Sequence, residues 1–206
     1  YFMMMAAQTP TLDHIRGDTR GKYDLPTIAD RLTEKGVAWR NYNGGIPLVA
    51  MFKRAWESGN VVPLSQFGSD AAIGQLPAVT WLTPSLRDSE HPPASVKQGE
   101  NWTVRQINTL MDSPQWSKCA VFVVWDEWGG FWDHVDPRVV EKEKGFHGLG
   151  PANRYGHRIP CLVIGPYAKR GYVSRTLYSH VSLLKTIERL FDVPPLTGRD
   201  AQANDL

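Results

Sequence analysis

Asp126 and Glu127 stand side by side where an uncharged, β-branched run, residues 120–125, ends. The glycine pair Gly129-Gly130 follows, and then the dipeptide Asp133-His134. An ionised carboxylate next to apolar surface is costly unless something compensates it. One divalent cation compensates two carboxylates at once, because hard cations take oxygen ligands. Glycines let the backbone turn sharply around such an ion. Backbone N–H groups, or a buried arginine such as Arg158, would serve as protein-only compensators. Adjacent side chains of an extended strand point to opposite faces, so both carboxylates reach one ion only if the strand breaks here.

The histidines supply the next candidates. Asp133-His134 has the form of an oriented imidazole, in which a carboxylate holds one ring nitrogen and the other faces a substrate or leaving group. The alternative is a structural histidine bonded to a backbone carbonyl. His91 lies in the loop Glu90-His91-Pro92-Pro93 and is a candidate for a phosphate or leaving-group contact, or a plain solvated loop residue. His180 opens the final helix, where the helix dipole disfavours the imidazolium form. His14, His147 and His157 sit in loops with no supporting context. Arg158 is read as an anion clamp or a structural salt-bridge partner. Asn101-Trp102-Thr103 fits a glycosylation sequon, a pattern too common to carry weight. The chain has no GxSxG elbow, Walker loop, CxxC pair, HExxH or dinucleotide fingerprint.

These residues need elements to position them. Residues 26–36 read as a helix, with Pro26 in the first turn, a stripe of Ile28, Ala29 and Leu32, and Gly36 as the stop. Residues 37–42 alternate like a short strand, and 47–57 has helical spacing of Val49, Phe52 and Trp56. Residues 76–82 read as a strand, 85–100 as a polar, proline-containing loop, and 101–111 as a helix. Two apolar runs, 119–125 and 159–164, read as buried strands separated by a long charged loop, 136–157. Ser179 caps a last helix striped with Val181, Leu184, Ile187 and Phe191. Buried strands alternating with amphipathic helices predict an α/β fold with a mostly parallel sheet covered on both faces. Ligands of such sheets bind beyond the carboxyl ends of the strands. The loop after Leu82, the Asp126-Glu127 pair and the loop after Ile164 all fall on that edge.

With 206 residues, 42% hydrophobic and 21% charged, the chain is long enough for one sizeable core, and a single domain over 1–206 is expected. The net charge of +2, with both signs interspersed, argues against nucleic acid as a partner. No apolar run approaches membrane-spanning length. Eight tryptophans and fifteen prolines point to loop-rich, aromatic walls. Cys119 and Cys161, the only cysteines, are expected as two buried thiols, a disulfide between neighbouring strands being the other option. The opening YFMMMAAQ has no basic leader or cleavage pattern. It also lacks an initial Met, so the chain is expected to have been cut from something longer.

The blocks PTIADRLTEKGVAWRNY, LPAVTWLTP, SEHPPASVKQGENW, SPQWSKCAVFVVWDEWGGFWDHVDP, HRIPCLVIGPYAKRGYVS, SHVSLLKTIERLF and LTGRDAQANDL run through nearly the whole chain. Together they resemble the bacterial phosphoesterase family of non-haemolytic phospholipases C and related acid phosphatases. The resemblance implies an alkaline-phosphatase-like, three-layer α/β/α sandwich with a mostly parallel sheet, truncated at its N-terminus, and metal-dependent hydrolysis of a phosphate ester. It implies that Asp126 and Glu127 bind a divalent metal ion of open identity and that His91 and His134 line the active site. Trp128 departs from the His or Asn common at its position. Relatives carry an acidic-Asn metal-binding pair and a Ser or Thr nucleophile upstream of the segment matching Tyr1. The chain is therefore expected to be the C-terminal part of a longer enzyme, inactive alone, whose complete form works through a phospho-enzyme intermediate. The expected substrate is a phosphate monoester or phosphodiester, phospholipid headgroups included, and the expected location secreted or periplasmic. Trp125, Trp128, Phe131 and Trp132 would hold a choline-like cation or simply pack around the glycine turn. A Trp-lined headgroup or sugar binding module and a sulfatase-type hydrolase of the same fold are the competing readings.

Overall fold

The structure is a computed structural model that describes residues 1–11, 17–141 and 153–206. Residues 1–119 and 169–206 form one compact unit, and residues 120–168 form a second. Within the first unit the chain runs through α1 (Phe2–Ala6), α2 (Ile28–Glu34), β1 (Trp39–Asn43), α3 (Lys53–Glu57), β2 (Val61–Pro63), α4 (Gln66–Ala72), β3 (Val79–Thr83) and α5 (Val96–Met111). It returns as α6 (His180–Phe191) and α7 (Gly198–Ala201). The second unit holds β4 (Val121–Val124), β5 (Val139–Glu141), β6 (Asn153–Arg154) and β7 (Cys161–Ile164).

The first unit is an α/β fold on a parallel sheet of order β2-β1-β3, with Asn41 in register with Val61 on one side and Trp81 on the other. Side chains alternate across a strand, so the sheet feeds two separate apolar clusters. Val61, Trp39, Val79 and Trp81 join the cluster built with α1, α2 and α6, whereas Val62, Tyr42 and Leu82 pack with Phe67 and Ala71 of α4 and Leu110 of α5. Helices thus cover both faces, as the alternation of strands and amphipathic helices predicts.

Local chemistry sets the helix ends. Thr27 caps α2 in a reciprocal box: Asp30 Oδ2 accepts from the Thr27 N–H at 2.6 Å while Thr27 Oγ1 accepts from the Asp30 N–H at 3.3 Å. Pro26 therefore precedes the cap instead of lying in the first turn. Gly36, at φ +73, ends the helix in the left-handed conformation a glycine adopts without strain. Helix α5 begins at Val96, five residues earlier than expected, because Ser95 caps it through the Gln98 N–H. The helix expected over 47–57 is confined to α3. Phe52 is extended there and bridges Tyr23 in parallel, while Val49, Met51 and Phe52 are still buried in the core. Ser179 is the N-cap of α6, and Val181 and Leu184 of its stripe are buried.

The second unit departs from expectation. β4 pairs antiparallel with β7, Val124 opposite Cys161, instead of joining a parallel sheet. Among its described residues no α-helix flanks this pair, so β4 is only half-buried and most of β7 is exposed. The two cysteines are free, with Cys119 half-buried and Cys161 exposed, contrary to the expectation of two buried thiols. β-Branched apolar runs need cover on both faces to be buried, and among the described residues of this unit no helix supplies it. No helix among the described residues is long and apolar enough to cross a membrane.

One buried pair in the first unit is unusual. Asp200, fully buried, accepts from the Leu196 and Thr197 N–H groups at 2.7 and 2.8 Å and from the Thr197 hydroxyl at 2.7 Å, which keeps its carboxyl below the ordinary range despite burial. Glu188 of α6 faces it, and neither of its oxygens meets a donor among the described residues. Burial first, and then the neighbouring Asp200, push Glu188 up to about 8. Glu188 thus keeps its proton at neutral pH and donates it to Asp200, clipping α6 to α7.

Two outcomes follow for stability. The folded chain holds a proton on Glu188 that the unfolded chain releases above its ordinary value of 4.5, so this contribution is complete below 4.5 and is lost as pH rises to about 8. The loss is at most about 1.4 kcal/mol per pH unit. In urea unfolding at pH 5, 6.5 and 8, Glu188→Gln retains a donor without the titration, so wild type should lose ground to it steadily as pH rises. A constant difference would show that the proton is not there. Separately, Leu32→Ala, at a position 0% exposed, should cost about 2–5 kcal/mol, and Thr27→Ala about 1 kcal/mol, in the same assay.

Candidate functional site

β4 ends at Val124, two residues before Asp126, so the backbone is no longer regular strand where the acidic pair stands. Asp126 is exposed and Glu127 half-buried. Glu127 Oε2 accepts from the Gly129 N–H at 2.7 Å. That contact closes a tight turn in which Gly129 and Gly130 have φ of +74° and +78°, a region unfavourable for side-chain-bearing residues. The expected glycine turn is therefore present. Among the described residues neither Asp126 nor Glu127 enters an ion pair. Arg158, named above as a protein-only compensator, is engaged elsewhere.

Its partner is Asp133. Arg158 donates through Nε at 2.8 Å and Nη2 at 2.8 Å, and its backbone N–H donates at 3.1 Å to the same carboxylate. The Val135 N–H adds a fourth bond at 3.1 Å. The Asp133 side chain is 11% exposed, and the guanidinium beside it holds its carboxyl well below the usual carboxylate range. With its lone pairs so occupied, Asp133 does not orient His134. The His134 Nδ1 lies 3.9 Å away, outside hydrogen-bond range. Arg158 is thus a structural partner, one of the two roles read for it from the sequence.

The turn and the segment leading into β7 border an open pocket of about 520 Å³. Its walls are the rings of Trp128, Phe131 and Trp132, the Asp133–Arg158 pair, His134, His157, Ile159 and Pro160. That size falls within the range of small-molecule sites, and the lining mixes aromatic with charged and polar side chains. His134, 84% exposed along its side chain, opens into it. His157 lies against two indoles, with ring centroids 5.3 Å from Trp128 and 6.2 Å from Trp132. His157 has no local context in the sequence, since its neighbours Trp128 and Trp132 are more than twenty residues away. Its place directly before Arg158 at the entry to a strand was the one available signal.

His91 belongs to the first unit, in an exposed loop. Its Nδ1 is 2.8 Å from the Pro92 carbonyl, which can only accept, so Nδ1 carries the proton and Nε2 is the outward nitrogen. His180 starts α6 in the same unit. His14 and His147 lie outside the described residues, as does most of the charged loop.

The donor chemistry at Asp126 and Glu127 suits a hard divalent cation of the kind that takes one or two carboxylates and completes its shell with substrate phosphate oxygens and water. Among the described residues no set of three or more His, Cys, Asp or Glu side chains is gathered for a metal. A site of this type would be shared with its substrate.

Comparison with known proteins agrees with the motifs. The chain is 28% identical over 229 residues to the non-specific phospholipase C6 of Arabidopsis thaliana, covering 98% of this chain and 44% of that protein. It is 30% identical to phospholipase C B of Mycobacterium tuberculosis, over 89% of this chain and 43% of the relative. Against the non-hemolytic phospholipase C of Pseudomonas aeruginosa it is 28% identical, over 89% of this chain and 32% of the relative. The chain spans less than half the length of these curated relatives. The sequence pattern of the Phosphoesterase family matches residues 1–194, and the chain belongs to that family.

Proposed function

We propose that the chain is part of a metal-dependent phosphoester hydrolase of phospholipase C or acid phosphatase type, in which Asp126 and Glu127 hold the cation. The observation that carries this reading is an acidic pair free of ion pairs among the described residues, set at a broken strand end and followed directly by the wall of an open, aromatic-lined pocket. When bound, the cation would neutralise phosphate oxygens and polarise the phosphorus centre. The remaining roles fall to the chain itself. Glu127 is steadied by the Gly129 N–H, which leaves its other oxygen available. His134, exposed in the cavity, gives a proton to the departing alkoxide as the bond between phosphorus and that oxygen breaks. For His91 the family resemblance supports a contact to non-bridging phosphate oxygens. The attacking oxygen belongs to a Ser or Thr upstream of Tyr1, whose hydroxyl loses its proton to solvent as the phosphoryl group passes to that oxygen; water then cleaves the phospho-enzyme, releasing the phosphate product and restoring the hydroxyl. The substrate is a phosphate monoester or phosphodiester, phospholipid headgroups included. The names of the relatives support this class, and the family resemblance supports a secreted or periplasmic location.

The test uses Asp126→Asn and Glu127→Gln, which keep shape and remove charge. Each should abolish calorimetric binding of a divalent cation to the chain. In the full-length protein each should lower hydrolysis of p-nitrophenyl phosphate by at least about 100-fold. Metal binding and turnover that survive both changes would remove the acidic pair from the site.

A further inference from the structure

One residue of α5 is buried, and it is a glycine, Gly99. Glycine is a poor helix former, so a buried one near a helix start marks a place where another segment comes too close for a side chain. Here that segment is the loop after β3. A Cβ on residue 99 would overlap the Glu90 side chain and stand 2.9 Å from the Asp88 carbonyl oxygen. Asp88 is not free to retreat. Its carboxylate accepts from Ser85 Oγ at 2.7 Å and from Gln98 Nε2 at 2.8 Å, and its N–H donates to the Ser85 carbonyl at 3.0 Å. Glu90 has a φ of +64°, in the left-handed region that residues with side chains seldom occupy. His91 comes next. Its N–H donates to Ser89 Oγ at 3.2 Å, and its carbonyl accepts from the Ala94 N–H at 2.8 Å.

We propose that Gly99 is a positioning residue for His91: the bare backbone at the start of α5 lets Glu90 fold back over the helix, and this sets the direction in which the His91 imidazole leaves the loop. The inference rests on the phosphoester reading above, in which His91 meets phosphate oxygens, and deepens it by naming what aims that histidine. The loop lies where such a task belongs, beyond the carboxyl end of β3 in a parallel sheet. His91 is exposed, so no packing around its ring fixes where it points. Its aim has to come from the backbone beneath it. A left-handed residue directly before it, held against a helix that carries no side chain at the point of contact, supplies that aim. A glycine that only permits close packing would affect the fold as a whole. A positioning glycine acts through residue 91, and the two are separable by experiment.

The test compares Gly99→Ala, His91→Ala and the double variant in the full-length protein, with p-nitrophenyl phosphate as substrate. Gly99→Ala should lower kcat and kcat/KM together, by about tenfold, because a displaced phosphate-contacting group is felt in the transition state. In the His91→Ala background the same change should cost less than about twofold, since the group it aims is gone. Gly68→Ala is the control: in α4 a Cβ at that position meets open space, and turnover should not change. The imidazole NMR signal of His91, assigned by its loss in His91→Ala, should move in Gly99→Ala while that of His180 stays. Should Gly99→Ala not fold, Glu90→Gly carries the same cycle, since it loosens the same contact and leaves residue 99 intact. The proposal is overturned if the two losses in turnover multiply, or if the His91 signal does not move. The NMR readout needs neither metal nor substrate. If His91→Ala turns over like wild type, the phosphate role of His91 falls, while a moved signal still shows that Gly99 aims the ring.

Discussion

The second unit is organised around one carboxylate. Asp133 collects four hydrogen bonds, three from Arg158 and one from the Val135 N–H, and joins two segments 25 residues apart in sequence. One of those segments carries the glycine turn and the exposed aromatics, and the other leads into β7. A largely buried carboxylate with all its lone pairs engaged is stable only while its partner stays, because removing the partner leaves an uncompensated charge. The same pairing consumes two charges that would otherwise dominate the cavity. This contact therefore shapes both the geometry and the charge of that wall of the pocket. It also explains why His134, although adjacent to Asp133, is left exposed and unoriented.

The first unit handles polar groups in its interior differently. Asn41, fully buried in the central strand, donates to the Trp81 carbonyl at 3.2 Å and accepts from Asn43 Nδ2 at 3.1 Å, which lays a short polar ladder inside the parallel sheet. On the opposite face Asp70 accepts from Tyr42 at 2.6 Å and from Arg40 at 2.7 Å. Burial is the main reason that the Tyr42 hydroxyl is pushed up to about 12. The buried side chains of Asn41 and Tyr42 are thus each matched by a neighbour, as a low-dielectric interior favours. The Glu188–Asp200 contact follows the same rule by retaining a proton instead of recruiting a cation.

Much of this was legible from residue order, and the boundary of legibility is physical. The stripes of α2 and α6, the alternation of β1 and the glycine turn after Glu127 are local patterns, and each appears where periodicity and backbone preference placed it. The early start of α5 was hidden because a single Ser95 hydroxyl outweighs a stretch that reads as polar loop. The burial of β4 and β7 was misjudged for a different reason. An apolar β-branched run records that a segment can be covered, but it does not record what covers it or in which direction its partner runs. The roles of Arg158 and His157 were hidden for the same reason, since both depend on partners more than twenty residues away. Asp133-His134 looked like a working pair because the two are adjacent in sequence, yet the carboxylate found a stronger donor across the cavity.

Two carboxylates in succession on a regular strand face opposite ways, and like charges resist being turned together. The end of β4 at Val124, two residues before Asp126, and the positive φ of two consecutive glycines release the first constraint. Among the described residues the second is only partly relieved, since one backbone N–H on Glu127 is modest compensation for two negative charges. Compensation has been spent freely a few residues on, where Asp133 takes a full guanidinium. An arrangement that neutralises the distal carboxylate and leaves the proximal pair short of positive charge is what a cation-assisted phosphoester site would require. On that proposal, a cation held at the strand end would meet the charge of the phosphoryl group.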